Sequence, residues 1–385
     1  MNSPIISLVA GEASGDMLAA RMLSGLRALN PDARTHGIGG PLMAEQGFVS
    51  DFAMEKLSVR GVFEVLMHYR EISGIRDQLT QQLLDERPSV FIGVDAPDFN
   101  LDLEIKLKQA GIPTMHYISP SIWAWRGWRI KKIAEAVSHM LVVFPFEEAI
   151  YQRAGIPATY VGHPLAQMIP LEPDVAAARN ELGLDTQRRV LTLLPGSRMS
   201  ELKYNTVAFI RTAKILCQRD PQLQICVPMV GAKQRAYYSK LVLDAQLDGV
   251  PILLMEGRSH TAIAAADVVL VASGTASLEV ALYKKPMVIA YKMMAASWHV
   301  LKHMAYQPWI GLPNILAEEF LVPEFLQSRA TPEAMADALW QQLNDEAKQG
   351  KLKHRFTELH HSLLRDSANL SAQAVLDVIA KAGRR

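Results

Sequence analysis

Apolar residues along this chain fall in short unbroken runs rather than in alternation. In the first half the runs are 5–10, 90–94, 114–118 and 140–144. In the second half they are 190–194, 224–229, 252–255, 268–271 and 287–291. Continuous runs of this kind predict strands buried on both faces of a parallel sheet. Between them apolar positions recur at helical spacing, as at Ala20, Leu23 and Leu26. Strands alternating with amphipathic helices predict an α/β chain, doubly wound twice over.

The rhythm breaks once, near Gly162-His163-Pro164 and Ile169-Pro170-Leu171-Glu172-Pro173. Prolines frame a polar joint there, and Asp174 is placed to cap a new helix. We therefore expect a first domain over 1–168, a second over 169–350 and a helical tail over 351–385. Thr331-Pro332-Glu333 reads as a helix start, and a last helix over 371–382 is expected to pack back on the first domain.

Composition narrows the function. At 385 residues there is room for two domains. A formal net charge of +1 gives no global field for nucleic acid. The two cysteines, Cys217 and Cys226, have no metal-ligand spacing and fit a reducing compartment. No apolar run approaches the roughly 18 residues of a membrane span. The first residues read as a strand rather than a leader, so a cytoplasmic protein, soluble or peripheral, is expected. A metal site is not expected: His299 and His303 lack a carboxylate partner at protease spacing.

Two turns in the second half carry the first chemical signal. Leu194-Pro195-Gly196-Ser197-Arg198 and Ala272-Ser273-Gly274-Thr275-Ala276-Ser277-Leu278-Glu279 each follow a strand run and open a helix. A strand, a small-residue turn and a helix start present unpaired amides to an anion. Gly196 would allow close backbone approach, with Ser197 and Arg198 as donors to a diphosphate. Ser273, Gly274 and Thr275 would do the same, and Glu279 could accept from ribose hydroxyls. Read blandly, the first is a connecting turn with a surface Arg and Glu279 is a solvated helix carboxylate.

The first half offers four further features. Gly11-Glu12-Ala13-Ser14-Gly15-Asp16 also joins a strand to a helix, but its glycine spacing is not a dinucleotide fingerprint. Its acidic side chains suit sugar hydroxyls, or else Ser14 or Asp16 simply caps the helix. Asp95-Ala96-Pro97-Asp98-Phe99-Asn100 sits at the carboxyl end of a strand, where open sheets bind ligands. Asp98 there is either a partly buried general base or a helix cap. In 119–131, Trp123, Trp125 and Trp128 interleave with Arg126, Arg129 and Lys131, which suits an anionic, partly apolar ligand or an aromatic plug. In 59–75, Val62, Val65, Leu66, Tyr69 and Ile72 mark one helix face, widened by Phe63 and Met67 and flanked by Arg60, His68, Arg70 and Arg76. That pattern fits an interfacial helix on a membrane or acyl chains, and equally a wide-faced core helix.

Taken together, these motifs resemble the lipid A disaccharide synthases of Gram-negative bacteria. The stretch Ser119-Pro120-Ser121-Ile122-Trp123-Ala124-Trp125-Arg126 is the most specific, and the likeness runs to about residue 325. The resemblance implies a GT-B fold, two Rossmann-like domains with a cleft between them. It implies an inverting transfer from UDP-2,3-diacylglucosamine to 2,3-diacylglucosamine 1-phosphate (lipid X), giving the β-1,6-linked disaccharide 1-phosphate and UDP. It implies no cofactor and no metal, and work at the cytoplasmic face of the inner membrane, with a homodimer left open. Under it Asp98 matches the general base, Arg198 the group that steadies the leaving UDP, and Glu279 the ribose acceptor. Glu12 would orient a sugar, and Asn314 in Gly311-Leu312-Pro313-Asn314 matches a polar residue of the donor site. Two other classes share parts of the pattern. A UDP-sugar 2-epimerase would share the UDP half but has no use for the Trp-Arg stretch. A non-enzymatic carrier would not need Asp98.

Overall fold

The computed structural model describes residues 3–57, 62–124, 127–294, 298 and 308–384, and of 62–69 only the helix backbone. It divides into two compact units, residues 1–164 with 363–385, and residues 165–362. The division falls four residues before the expected boundary. The expected tail does not stand apart. The helix Glu346–Leu363 stays almost entirely with the second unit, and Ser367–Ala382 joins the first.

The first unit holds a seven-stranded sheet of β1 (Ile5–Ala10), β2 (Arg34–Gly39), β3 (Val49–Ala53), β4 (Val90–Val94), β5 (Thr114–Tyr117), β6 (His139–Val142) and β7 (Ala158–Tyr160). Its order is β3-β2-β1-β4-β5-β6-β7, and every pairing is parallel. Runs of Val, Ile and Phe make β4 buried at every position, as continuous apolar patterning requires. Ala13–Leu29 packs against the returning Ser367–Ala382. Gly25 is needed there, because a side chain would strike the Ala368 carbonyl.

The second unit holds β8 (Val190–Leu194), β9 (Gln224–Met229), β10 (Ile252–Glu256), β11 (Val268–Ala272), β12 (Met287–Tyr291) and β13 (Glu324–Leu326). The order is β10-β9-β8-β11-β12-β13, again parallel throughout. One core under this sheet gathers Leu191, Phe209, Ile225, Leu270 and Leu339. Asp174 and Thr331 cap their helices as expected, accepting from the amides of Ala177 and Ala334.

Four strands escaped the sequence pattern, and each for a reason. β2 carries Arg, Thr and His among its glycines, β3 is an exposed edge, and β7 and β13 have three residues each. The strand orders fix where a site can lie. Winding reverses between β1 and β4 and again between β8 and β11, and the carboxyl ends at such reversals open a crevice.

Candidate active site

At the first reversal, the turns after β1 and β4 lie side by side, with Ala10 opposite Val94. Glu12 caps Ala13–Leu29 by backbone alone, Ser14 is exposed, and Asp16 is buried. Asp16 is neither a sugar acceptor nor a cap of its own helix. Its carboxylate accepts from the amides of Gly40, Leu42 and Met43 at 3.0 Å each, closing the start of Pro41–Glu45.

The turn after β4 is strained. Asp95 and Ala96 have φ of 55° and 44°, and Ile118, just past β5, has φ of 76°. Left-handed backbone at non-glycine residues costs roughly 1–3 kcal/mol each, and the surroundings must hold it. Asn100 does so by donating to the Asp95 carbonyl at 2.8 Å. Beneath it Glu104 and His116 form a fully buried pair at 2.7 Å. Burial pushes the Glu104 carboxyl up, and His116 opposes that. Gly93 on β4 is required here, since a Cβ would meet the Glu104 carboxylate and Asn100.

This platform presents Asp98 in the first turn of Pro97–Gln109. Asp98 is not the cap, which is Ala96, and the partial burial expected of it is absent. Its side chain is 84% exposed and accepts from Arg129 at 2.8 Å. Arg129 is thereby brought to Asp98, and Lys131 stays exposed two residues on.

Trp125 and Arg126 lie outside the described residues. Trp123 packs edge-on against Phe144 and Phe146 and donates to Glu147 at 3.1 Å, so this member of the stretch is part of an aromatic plug. Trp128 is exposed, with Arg129 5.9 Å from its ring centre. The sequence pattern assigns Glu147 no role, and His163 enters it only as part of the joint between domains. Burial raises Glu147 to about 7, although two backbone amides and Trp123 donate to it. Burial lowers His163 to about 4, and its ring stacks on Phe144.

Of the expected interfacial face, residues 59–61 and the side chains of Val62, Phe63, Leu66, Met67 and Tyr69 lie outside what is described. Ile72 packs onto the core beside Ile75, so the carboxyl end of that face is core rather than interface. Among the described residues no helix is long and apolar enough to cross a membrane.

At the second reversal β8 pairs with β11, Leu194 opposite Val271, so the two small-residue turns are neighbours. Their insides differ. In the first, Glu201 accepts from the amides of Ser197 and Arg198 at 2.9 and 3.2 Å. Gly196, at φ 126°, makes room for this carboxylate rather than for a ligand, because a Cβ would lie 2.6 Å from Glu201 Oε2. What this turn still offers is the Arg198 guanidinium, 79% exposed and 3.6 Å from Glu201.

The second turn is open. Gly274 has φ 136°, and nothing lies within 4 Å of where its Cβ would be. The amides of Gly274 and Thr275 meet no acceptor among the described residues. Ser273 donates to the Ile310 carbonyl at 3.0 Å. That loop is held by Glu324, which accepts from the amides of Ile310 and Gly311 and from Asn314. Asn314 also exchanges two bonds with Val322 and is fully buried. Asn314, expected to contact a ligand, is therefore instead a buried brace that holds the loop under Ser273 through Glu324. Glu279 follows one turn after Thr275, with His260 3.3 Å from its carboxylate.

A family model described as "Lipid-A-disaccharide synthetase" matches residues 6–378. A lipid-A-disaccharide synthase of Paraburkholderia phymatum is 53% identical over 385 residues, covering 99% of this chain and 98% of its own. One from Azoarcus sp. is 52% identical over 378 residues, covering 98% and 97%. Among solved structures, a UDP-GlcNAc 2-epimerase from Neisseria meningitidis bound to UDP-GlcNAc has a TM-score of 0.61 at 10% identity, covering 98% of this chain and 99% of its own. The calicheamicin glycosyltransferase CalG4 has a TM-score of 0.59 at 15% identity, covering 100% and 99%. MurG of Acinetobacter baumannii has 0.57 at 15%, covering 98% and 99%. At such identities these likenesses establish the GT-B fold and nothing of the chemistry.

Proposed function

The chain belongs to the lipid-A-disaccharide synthetase family, and from that premise we propose that it joins UDP-2,3-diacylglucosamine to lipid X. The products are the β-1,6-linked lipid A disaccharide 1-phosphate and UDP. The observation that carries the donor half is the open turn Ser273–Thr275, with the Gly274 and Thr275 amides unpaired among the described residues, a left-handed glycine and a carboxylate one turn behind. Such a turn holds a diphosphate by its amides and a ribose by its carboxylate.

The reaction then follows from the residues at hand. The 6-hydroxyl oxygen of lipid X attacks C1 of the donor sugar, and Asp98 takes its proton. The bond between C1 and the diphosphate oxygen breaks, and the electron pair leaves with UDP. Arg198 and the amides of Gly274 and Thr275 offset the negative charge that builds on the diphosphate. Arg129 orients Asp98 through its hydrogen bond until substrate arrives, and with Lys131 it is the candidate for the lipid X phosphate. Glu12 and Ser14, on the neighbouring turn, are the candidates for a sugar hydroxyl, and Trp125 and Arg126 for the glycolipid headgroup. No metal or cofactor takes part in this scheme. Val62, Phe63, Leu66, Met67 and Tyr69 are the proposed acyl or membrane contact at the cytoplasmic face of the inner membrane, and a homodimer is compatible with all of this.

Incubating the purified protein with both substrates tests the proposal. The expected result is a disaccharide 1-phosphate by mass spectrometry, lost in Asp98→Ala while the fold is retained. Conversion of UDP-N-acetylglucosamine to its manno isomer would replace the proposal with an epimerase, and full turnover of Asp98→Ala would remove the base.

A further inference from the structure

Glu279 is not left to solvent. Its side chain is 19% exposed, and the imidazole of His260, at 40%, reaches it from another helix. His260 is the second residue of Ser259–Ala265, which leads into β11, and Glu279 lies on Thr275–Leu282, which leaves it. The imidazole is held at two points, one on that second helix and one on its C-cap residue. Nε2 is 3.3 Å from Glu279 Oε2, and the ring meets Tyr283 edge-on at 5.8 Å. Glu279 and Tyr283 are four residues apart and so share a helix face. The contact with Glu279 raises the His260 pKa against the opposing effect of burial, which favours the charged donor.

The helix carrying His260 has its own anchors. Ala262, Ile263 and Ala265 are buried, and Thr261 donates to Glu181 on Val175–Leu182. The imidazole therefore is not what keeps this helix in place. Among the described residues its one polar partner is the Glu279 carboxylate. A carboxylate already fixed loses less freedom when it captures a ligand than one that must be ordered on binding.

We propose that His260 is a positioning residue of the donor subsite, fixing Glu279 Oε2 so that Oε1 is presented to the ribose diol of the nucleoside diphosphate. This rests on the proposed function, through the role given to Glu279. The role differs from that of a structural tie, because it acts on the affinity for the donor and not on the chemical step or on the acceptor.

The test is steady-state kinetics in both substrates, with calorimetry of UDP binding, on the wild type, H260A, H260Q, H260N, E279A and H260A/E279A. A hydrogen bond to a charged group supports an expected rise of about tenfold in donor KM and in UDP Kd for H260A, with kcat within about twofold. Acceptor KM stays unchanged. H260Q, which keeps a donor of similar reach, recovers most of the loss, and the shorter H260N does not. In the E279A background H260A adds nothing, because the two residues act as one unit. Wild-type donor KM and UDP Kd in H260A and H260N would overturn the proposal, as would the same loss with and without Glu279. If the wild type forms no disaccharide, the proposed reaction falls, while the UDP measurements still judge His260.

Discussion

The two turns at the β8/β11 reversal look alike in sequence and are built to opposite ends. Each has a glycine at large positive φ, a serine beside it and a helix behind. In Pro195–Arg198 the glycine admits the chain's own Glu201, and the amides are spent on it. In Ser273–Thr275 the glycine faces open space and the turn is braced from behind by the Ile310 carbonyl. A glycine turn at a helix start is thus an anion site only when nothing internal has already filled it. Under the proposed function the first turn contributes a side chain, Arg198, and the second contributes backbone.

Experiments can break this contrast at several points. The largest effect is expected from Arg198→Ala, because a transition-state charge partner is typically worth about 100- to 1,000-fold in kcat. A radiolabelled-donor assay checks this, and near wild-type turnover would contradict it. Next come the two glycines. Gly196→Ala and Gly274→Ala each impose strain of roughly 1–3 kcal/mol. G196A also displaces Glu201, so its melting temperature falls further, while G274A has the weaker UDP binding. The reverse ranking would mean that the two turns have been assigned the wrong way round. The smallest effect is expected from Glu201→Ala, which loses about 1 kcal/mol of stability, as a helix cap does. Its UDP Kd stays within about twofold of wild type on this account, since removing a bond the ligand never makes changes little. A marked tightening would show that Glu201 competes with the donor for the amides.

Much of this was legible in the sequence. Eight of the nine inner strands announce themselves because burial on both faces favours near-continuous apolar runs, as in β4 and β11. The turns were visible for the same reason, since small residues and glycine between a strand and a helix have few other uses. What the sequence hid was the partner of each polar group. Glu201 stands three residues after its helix cap, a spacing that signals a capping carboxylate. Asp16 stands in a similar motif but caps a different helix, 24 to 27 residues away, and no local rule predicts that. Asn314 and Glu324 find each other across 10 residues, His260 and Glu279 across two helices, and Glu104 and His116 across a helix and a strand. Strain at Ala96 and Ile118 is likewise a property of the assembled sheet edge, since neither residue type favours left-handed backbone, whereas Asp95 tolerates it more readily.

The division of labour between the two turns is tested most directly by a crystal structure of the protein with UDP. The account predicts the diphosphate on the amides of Gly274 and Thr275, the ribose on Glu279, and Glu201 still on the amides of Ser197 and Arg198. A diphosphate seated on the Ser197 and Arg198 amides, with Glu201 swung away, would contradict it.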